Sequence, residues 1–309
     1  MPSLTISAEP IAKAPILALK KALEKGDVRL RTDSVLVFVC GAAVKDGDYT
    51  GDGARAQFMH HAQKHLPGFR VFLAESVINA LKEAPKSDLL STEQDLACFS
   101  DCIIIIMESA GALVELGAFT AHDDLARIVL AINDVRFKDA PPESFIKAGP
   151  LRKLEHSDFG APIYADFRRL FTVFPEVRSR LQRQFHFKRN RPASLRDHEQ
   201  WTACQRKLRM LFVHDLVRLF GPVQHAGLIH VLCELYGNHR FDIKLELAVL
   251  RALKLVEMIE GYYVSAGASG QVFFSYPGDF VAEARSRIIN RYFHVGDTQV
   301  AILQRNLTH

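Results

Sequence analysis

Three glutamates are spaced so that they could line one cleft. Glu75 and Glu108 each follow a short apolar segment, and Glu115 stands seven residues beyond Glu108. We expect Glu115 in the first or second turn of a helix, where backbone N–H groups and the helix dipole favour a charged carboxylate. Such a carboxylate can capture or stabilise the oxocarbenium-like sugar that forms when an N-ribosyl bond breaks. Glycosidic cleavage is therefore the chemistry that these residues favour.

These carboxylates also have a structural interpretation. Glu115 could be a helix-favouring residue between the core positions Leu113, Leu116 and Phe119. Glu108, which we expect to hydrogen-bond ribose hydroxyls, could equally be a solvated turn residue. The same two interpretations apply to Glu75. Spacing alone leaves both interpretations open.

Small residues and one arginine accompany the glutamates. The glycine and alanines of residues 41–43 permit close approach of a ligand, although they form neither a GxGxxG motif nor a Walker loop. Arg55 could reach a phosphate or could pair with Asp52. The predicted site has Glu115 as the catalytic residue and, for substrate binding, Gly41, Ala42, Arg55, Glu75, Glu108, Ser109 and Gly111.

The hydrophobic pattern predicts an α/β fold with a flavodoxin-like or Rossmann-like parallel sheet. Apolar segments at residues 34–40, 69–73, 101–107 and 128–132 read as strands, and helical patterns at residues 54–65, 92–99 and 112–122 lie between them. Ser91 is the expected N-cap of the second helix. Ligands of such sheets bind beyond the carboxyl ends of the strands, so the loops after residues 40 and 107 belong to one predicted site.

The second half of the chain is predicted to be helical. Helices are expected at residues 201–220, 224–236 and 245–257, followed by a hairpin made from residues 260–264 and 271–275. Helix, turn, helix and hairpin is the order of a winged-helix module. We predict domains at residues 1–160 and 216–309, with a basic helical linker at 161–215.

Composition narrows the class of protein. Residues 1–150 hold 16 Lys and Arg against 20 Asp and Glu, whereas the remaining residues hold 23 against 15. The basic half could bind a polyanion or simply be solvated. Five cysteines without a CxxC pair indicate neither disulfides nor zinc, and no metal site is expected. The acidic, glycine-rich run at residues 46–53 reads as a flexible loop, and the absence of a long apolar run predicts a cytoplasmic protein without membrane contact.

Five segments together carry a resemblance to a known family. The segment from Glu108 to Phe119 resembles the helix-start motif of nucleoside 2-deoxyribosyltransferase-like proteins and, more closely, that of retron toxin effectors with this domain. The other four are residues 38–41, 89–93, 144–150 and 260–266.

The resemblance implies an anti-phage retron toxin of the N-glycosidase type. It implies Glu115 as catalytic carboxylate, NAD or another nucleotide as substrate, no resident cofactor, and inhibition by a retron reverse transcriptase with its multicopy single-stranded DNA, in a homo-oligomer or filament. Ser109 stands where deoxyribosyltransferases usually carry Asp, which favours hydrolysis over base exchange. A nucleotide-sensing, DNA-binding regulator without catalysis and a salvage deoxyribosyltransferase stay open as alternatives.

Overall fold

The computed structural model describes residues 13–31, 34–44, 49, 51–81, 88–185, 191–192, 195–266, 272–295 and 297–306. Residues 34–187 form one compact unit, here called the sheet unit, and residues 1–33 with 188–309 form a second, here called the helical unit. Residues 46–48 and 50 of the predicted flexible loop, and residues 186–190 of the predicted basic linker, lie outside the described residues.

Helices and strands follow one another along the chain in three groups. The elements before the sheet unit are α1 (Lys13–Lys25) and β1 (Arg29–Leu30). Those of the sheet unit are β2 (Val35–Cys40), α2 (Ala54–His65), β3 (Phe69–Phe72), α3 (Ala74–Ala80), α4 (Leu89–Ala97), β4 (Cys102–Ile106), α5 (Ala110–Ala121), α6 (Asp123–Arg127), β5 (Val129–Asp134), α7 (Arg152–Leu154), β6 (Ile163–Ala165) and α8 (Phe174–Gln184). Those after it are β7 (Arg191–Pro192), α9 (His198–Ala203), α10 (Arg206–Phe220), α11 (His225–Tyr236), α12 (Lys244–Ala252), β8 (Val256–Ile259), β9 (Tyr262–Ser265), β10 (Phe274–Ser275), α13 (Phe280–Val295) and α14 (Asp297–Asn306).

The sheet unit is built on five parallel strands in the order β3-β2-β4-β5-β6. Every residue of β2, β4 and β5 is buried, as expected for central parallel strands covered by helices on both faces. The α/β prediction and its four strands are confirmed. The fifth strand, β6, was not predicted, because its three residues are too few to show a hydrophobic period.

Helices α2 and α8 cover the same part of the core. Phe58 of α2 stacks on Phe174 of α8 with ring centroids 4.9 Å apart, and Val177 and Leu181 are fully buried on the same helix. This packing keeps the chain with the sheet unit through residue 185. The predicted boundaries at residues 160 and 215 stay a prediction about domains.

Helix α4 begins earlier than the sequence pattern suggested. Asp88 is the N-cap, since its carboxylate accepts the backbone N–H of Ser91 at 2.9 Å and the hydroxyl of the same serine at 3.0 Å. The expectation that Ser91 is the cap was therefore wrong. Either residue is a good cap in isolation, and the carboxylate prevails because it accepts two hydrogen bonds.

The helical unit is tied together by a buried aspartate. Asp215 on α10 is fully buried, and its carboxylate accepts the backbone N–H groups of Phe273 and Phe274 at 2.9 and 3.0 Å and the hydroxyl of Tyr276 at 3.0 Å. These bonds hold β10, which pairs antiparallel with β1, against a core helix. Residues far apart in the sequence thereby share one small sheet.

The predicted pairing of residues 260–264 with 271–275 was wrong, and a hairpin forms from other strands. β9 pairs with β8, and the turn between them is Glu260-Gly261, both with positive φ (51° and 86°). The expected partner, residues 271–275, instead contributes β10 to the pairing with β1. The predicted helix at 245–257 ends at Ala252, because residues 256–259 are taken by β8.

Within the described ranges, every helix is too short or too polar to span a bilayer.

Candidate active site

The candidate site forms where β2 and β4 end side by side. These strands are parallel neighbours, with Cys40 opposite Ile105, so the loops that follow them meet at one edge of the sheet. Chain connections run from this pair toward opposite ends of the sheet, and such a point is where ligands bind in doubly wound folds. The first loop begins with Gly41 and Ala42, and the second contains Glu108.

Glu108 holds these two loops together. Its Oε1 accepts the backbone N–H groups of Ala42 at 3.2 Å and Arg55 at 2.8 Å, and its Oε2 accepts that of Ala54 at 2.6 Å. The carboxylate thus occupies the amino end of α2, where backbone N–H groups lack helical partners. Its predicted contact with ribose stays a prediction, whereas in the structure its hydrogen bonds fix the loop that surrounds the site.

Gly41 is required by the close approach of Arg55. A Cβ added to Gly41 would lie 3.0 Å from both Cβ and Cδ of Arg55 and 3.3 Å from Oε1 of Glu108. Since real Cβ contacts are rarely so short, any side chain here would push the arginine from its position. Gly41 therefore permits close packing of Arg55 against the loop that follows β2.

We expect Gly41→Ala to lower the free energy of unfolding of the sheet unit by about 1–2 kcal/mol through overpacking. Urea denaturation followed by circular dichroism measures this. Gly117→Ala is the matched control, because its added Cβ meets no atom within 4 Å and should stabilise α5 by about 0.5–1 kcal/mol. Equal stability of Gly41→Ala and the wild type would show that the loop relaxes without cost.

Arg55 is buried within a group of carboxylates. Its side chain is 3% exposed and pairs with Glu75, which is 34% exposed. Nε of Arg55 and Oε2 of Glu75 are both buried without a hydrogen-bond partner. The alternative predicted partner of the arginine, Asp52, is exposed. Buried and already paired, this guanidinium is poorly placed to reach a phosphate, and it instead offsets the charge of the surrounding glutamates.

Glu115 and Glu93 form a coupled carboxyl pair beside this arginine. Burial raises the pKa of Glu115 from 4.5 to about 7, and the negative charge of Glu93 and a hydrogen bond between the two side chains add to the increase. Burial likewise raises the pKa of Glu93. Oε2 of Glu115 is buried and has no partner. The pair can hold one proton near neutral pH, so that one carboxyl serves as acid and the other as base.

The expectation that the helix end keeps Glu115 charged was wrong. Glu115 is the sixth residue of α5, in the second turn, where the influence of the helix terminus has fallen off. Burial and the neighbouring glutamate therefore determine its pKa. Of the flanking positions expected in the core, Leu116 and Phe119 are buried, whereas Leu113 is 38% exposed.

The remaining predicted residues lie at the start of α5. Ser109 is its N-cap, and its Oγ accepts the backbone N–H of Ala112 at 3.1 Å. Gly111 is exposed in the first turn. Glu93 was missed as a site residue. The only indication in the sequence was that Glu93 lies in the segment 89–93, which contributes to the family resemblance. The local pattern could not show more, because Glu93 on α4 approaches Glu115 only through the tertiary fold.

Cys40 lies at the end of β2 near the same group. Burial raises the pKa of its thiol well above 9, and the charges of Glu115 and Glu93 raise it further. The thiol therefore stays protonated and is a poor nucleophile. In the part of the chain that the structure describes, no group of three His, Cys, Asp or Glu residues could hold a metal ion.

We expect the stability that Glu115 contributes to fall as pH rises. Its folded pKa of about 7 exceeds its ordinary value of 4.5, so the contribution is fully present below pH 4.5 and is lost as pH rises through 7. Discounted for partial exposure, the loss between pH 5 and 8 is about 2 kcal/mol.

Urea denaturation of the wild type and Glu115→Gln across this range measures that loss. Other ionisable groups are common to both proteins, so the difference between the two curves reports on the carboxyl pair. A difference that stays constant with pH would contradict the raised pKa.

Most of the chain matches a known protein family. A profile of the STM3845 retron effector proteins matches residues 52–260, a segment that includes the glutamates of the site and the helices α10–α12. The chain belongs to the STM3845 retron effector family. Gly41 and Ala42 precede the matched segment of this family.

Two curated proteins from Escherichia coli are also similar to this chain. Both are named for candidate ribosyltransferase and DNA-binding activities, one in retron Ec73 and the other in retron Ec86. The first is 24% identical over 251 residues, which cover 74% of this chain and 76% of the relative. The second is 34% identical over 136 residues, which cover 42% and 41% respectively.

Proposed function

We propose that the sheet unit cleaves the N-glycosidic bond of a nucleotide, with NAD the first substrate to test, and that Glu115 acts at C1′ of the ribose. The observation that carries the proposal is the half-buried Glu115 carboxyl, which shares a hydrogen bond with Glu93 and has one buried oxygen without a hydrogen-bond partner. A polar atom buried without a partner is typical of a site that a ligand completes. A nucleoside deoxyribosyltransferase-like arrangement of the sheet fits this chemistry.

The reaction that fits the pair is hydrolysis. The C1′–N bond breaks and its electron pair moves to the departing base, while the ionised carboxylate of Glu115 stabilises or captures C1′. Water then attacks C1′ and gives its proton to the carboxyl pair. Nicotinamide leaves without needing a proton, because bond cleavage neutralises its ring, whereas a purine or pyrimidine needs the proton that Glu93 and Glu115 share.

Binding of the substrate phosphates falls to backbone groups in this proposal. The first turn of α5, with Gly111 exposed, has N–H groups that lack helical partners and suit an anion. Arg55 keeps a different role, since its positive charge limits repulsion among Glu75, Glu93 and Glu115. The predicted contact of Glu108 with the ribose and the predicted substrate binding by Ser109 remain part of the proposal.

The helical unit is proposed to bind nucleic acid. By composition it holds 22 Lys and Arg against 15 Asp and Glu, a formal charge of +7, whereas the sheet unit holds 17 against 20. Helices α11 and α12 followed by the hairpin β8–β9 are in winged-helix order, and both relatives carry DNA binding in their names. We infer that the partners are a retron reverse transcriptase and its multicopy single-stranded DNA, which restrain the toxin in an oligomer of this chain.

The test is to incubate the purified chain with NAD, nicotinamide mononucleotide, ATP and deoxynucleotides, and to identify the products by mass spectrometry. Release of a free base and a ribosyl product containing one added water supports hydrolysis. The same incubation with a labelled free base detects exchange, which would favour a transferase, in keeping with the relatives' names. No change in any nucleotide, with the carboxyl pair intact and partners absent, would favour the nucleotide-sensing regulator.

A further inference from the structure

A cavity in the helical unit is lined by two arginines from different helices. Its volume is about 390 Å³, and its walls come from Arg218 near the end of α10 and from residues at and before the start of α13. The full lining is Arg218, Gly278, Asp279, Val281, Ala282 and Arg285. None of these residues belongs to the sheet unit.

Within the part of the chain that the structure describes, neither arginine forms an ion pair, and Asp279, the acidic residue in the lining, is exposed. Arg285 donates one hydrogen bond to the carbonyl oxygen of Gly221, and a guanidinium group has five N–H donors. Burial lowers the pKa of Arg285, and the nearby positive charge of Arg218 lowers it further. Two guanidinium groups that repel each other across a cavity are stabilised by an anion between them.

We propose that this cavity binds a phosphate group of a polynucleotide backbone, held between Arg218 and Arg285. Guanidinium groups match phosphate oxygens with paired N–H donors, and Val281 and Ala282, in the first turn of the 16-residue helix α13, line the same cavity. The charge of +7 on this unit favours a polyanion over an isolated phosphate. The inference rests on the proposed nucleic-acid binding by the helical unit and names one site for it.

Binding of a fluorescent single-stranded DNA oligonucleotide to the full chain tests the site. We expect Arg218→Gln to weaken binding about tenfold near 0.1 M salt and to reduce the slope of log affinity against log salt by about 0.7, the value for one lost phosphate contact. Arg287→Gln is the matched control, because Arg287 is an exposed arginine of the same helix as Arg285 and lies outside the cavity. Arg218→Lys should restore part of the affinity.

Three outcomes would overturn the inference. Equal losses in Arg218→Gln and Arg287→Gln would show that only total charge matters. Unchanged binding in Arg218→Gln, with the wild type still binding DNA, would remove the site and leave nucleic-acid binding intact. Failure of the wild type to bind DNA would show that the helical unit, and with it the site, does not hold a polynucleotide. The fluorescence of Trp201, in the helical unit, checks that each variant is folded.

Discussion

Replacing Glu115 with Gln is expected to lower kcat for base release by about 10³-fold or more while KM changes by less than about threefold. The amide keeps the size of the side chain and its place between Glu93 and Arg55, but it can neither capture C1′ nor neutralise a developing positive charge. The loss therefore falls on the transition state. Steady-state kinetics, with the released base quantified by liquid chromatography, measures both constants.

Variants of two other glutamates test whether the loss of kcat is specific to Glu115. Glu143 is exposed in the same unit, and Glu143→Gln should leave both constants unchanged. Glu93→Gln removes the negative charge that helps to raise the pKa of Glu115. Because the reaction needs ionised Glu115, the activity of this variant should rise at a lower pH than that of the wild type. Turnover by Glu115→Gln within tenfold of the wild type would remove Glu115 from the catalytic role.

Replacing Arg55 with Met is expected to lower the free energy of unfolding of the sheet unit by about 2–4 kcal/mol. The arginine is 3% exposed and its partner Glu75 is 34% exposed, so the loss falls somewhat below that of a fully buried pair. Without the guanidinium, Glu75, Glu93 and Glu115 face one another uncompensated. The variant should therefore be least stable at high pH, where Glu93 and Glu115, whose pKa values are raised in the folded protein, become ionised.

A second arginine of the same unit provides the control. Arg136 donates two hydrogen bonds to Asp134, at 2.8 and 2.6 Å, but its side chain is 77% exposed. Arg136→Met should cost less than about 1 kcal/mol. Urea unfolding is followed by circular dichroism, because the single tryptophan, Trp201, lies in the helical unit and does not report on the sheet. Equal losses for the two variants would show that Arg55 compensates no buried charge.

Local patterns in the sequence predicted the central strands and several helices well. The isoleucines of residues 103–106 indicated a strand buried on both faces, and helix α2 was predicted with the bounds observed. The prediction that Glu115 lies in the first or second turn of a helix is confirmed, because it lies in the second turn of α5. These features depend on residues within one or two turns of each other, where periodicity and capping act.

Features set by contacts between distant residues were not predicted. Glu93 and Glu115 are 22 positions apart, on α4 and α5, and only the tertiary fold brings them together. The three amides that bind Glu108 come from residues more than 50 positions away. The burial of Arg55 depends on its close approach to Gly41, which the local pattern does not show, and its predicted contact with a phosphate stays a prediction. A pKa set by burial likewise cannot be read from the types of neighbouring residues.

The division of the chain also imposes an order on its synthesis. Residues 34–187 are complete once the middle of the chain has left the ribosome, whereas α1, near the first residue, packs against α11 and α13, which are made last. Domains generally fold as they emerge, so we expect the sheet unit to mature first while α1 waits for its partners. The carboxyl pair that we propose to be catalytic would then form before the basic unit that we propose to bind nucleic acid. Under the proposed function, activity would therefore precede restraint during synthesis.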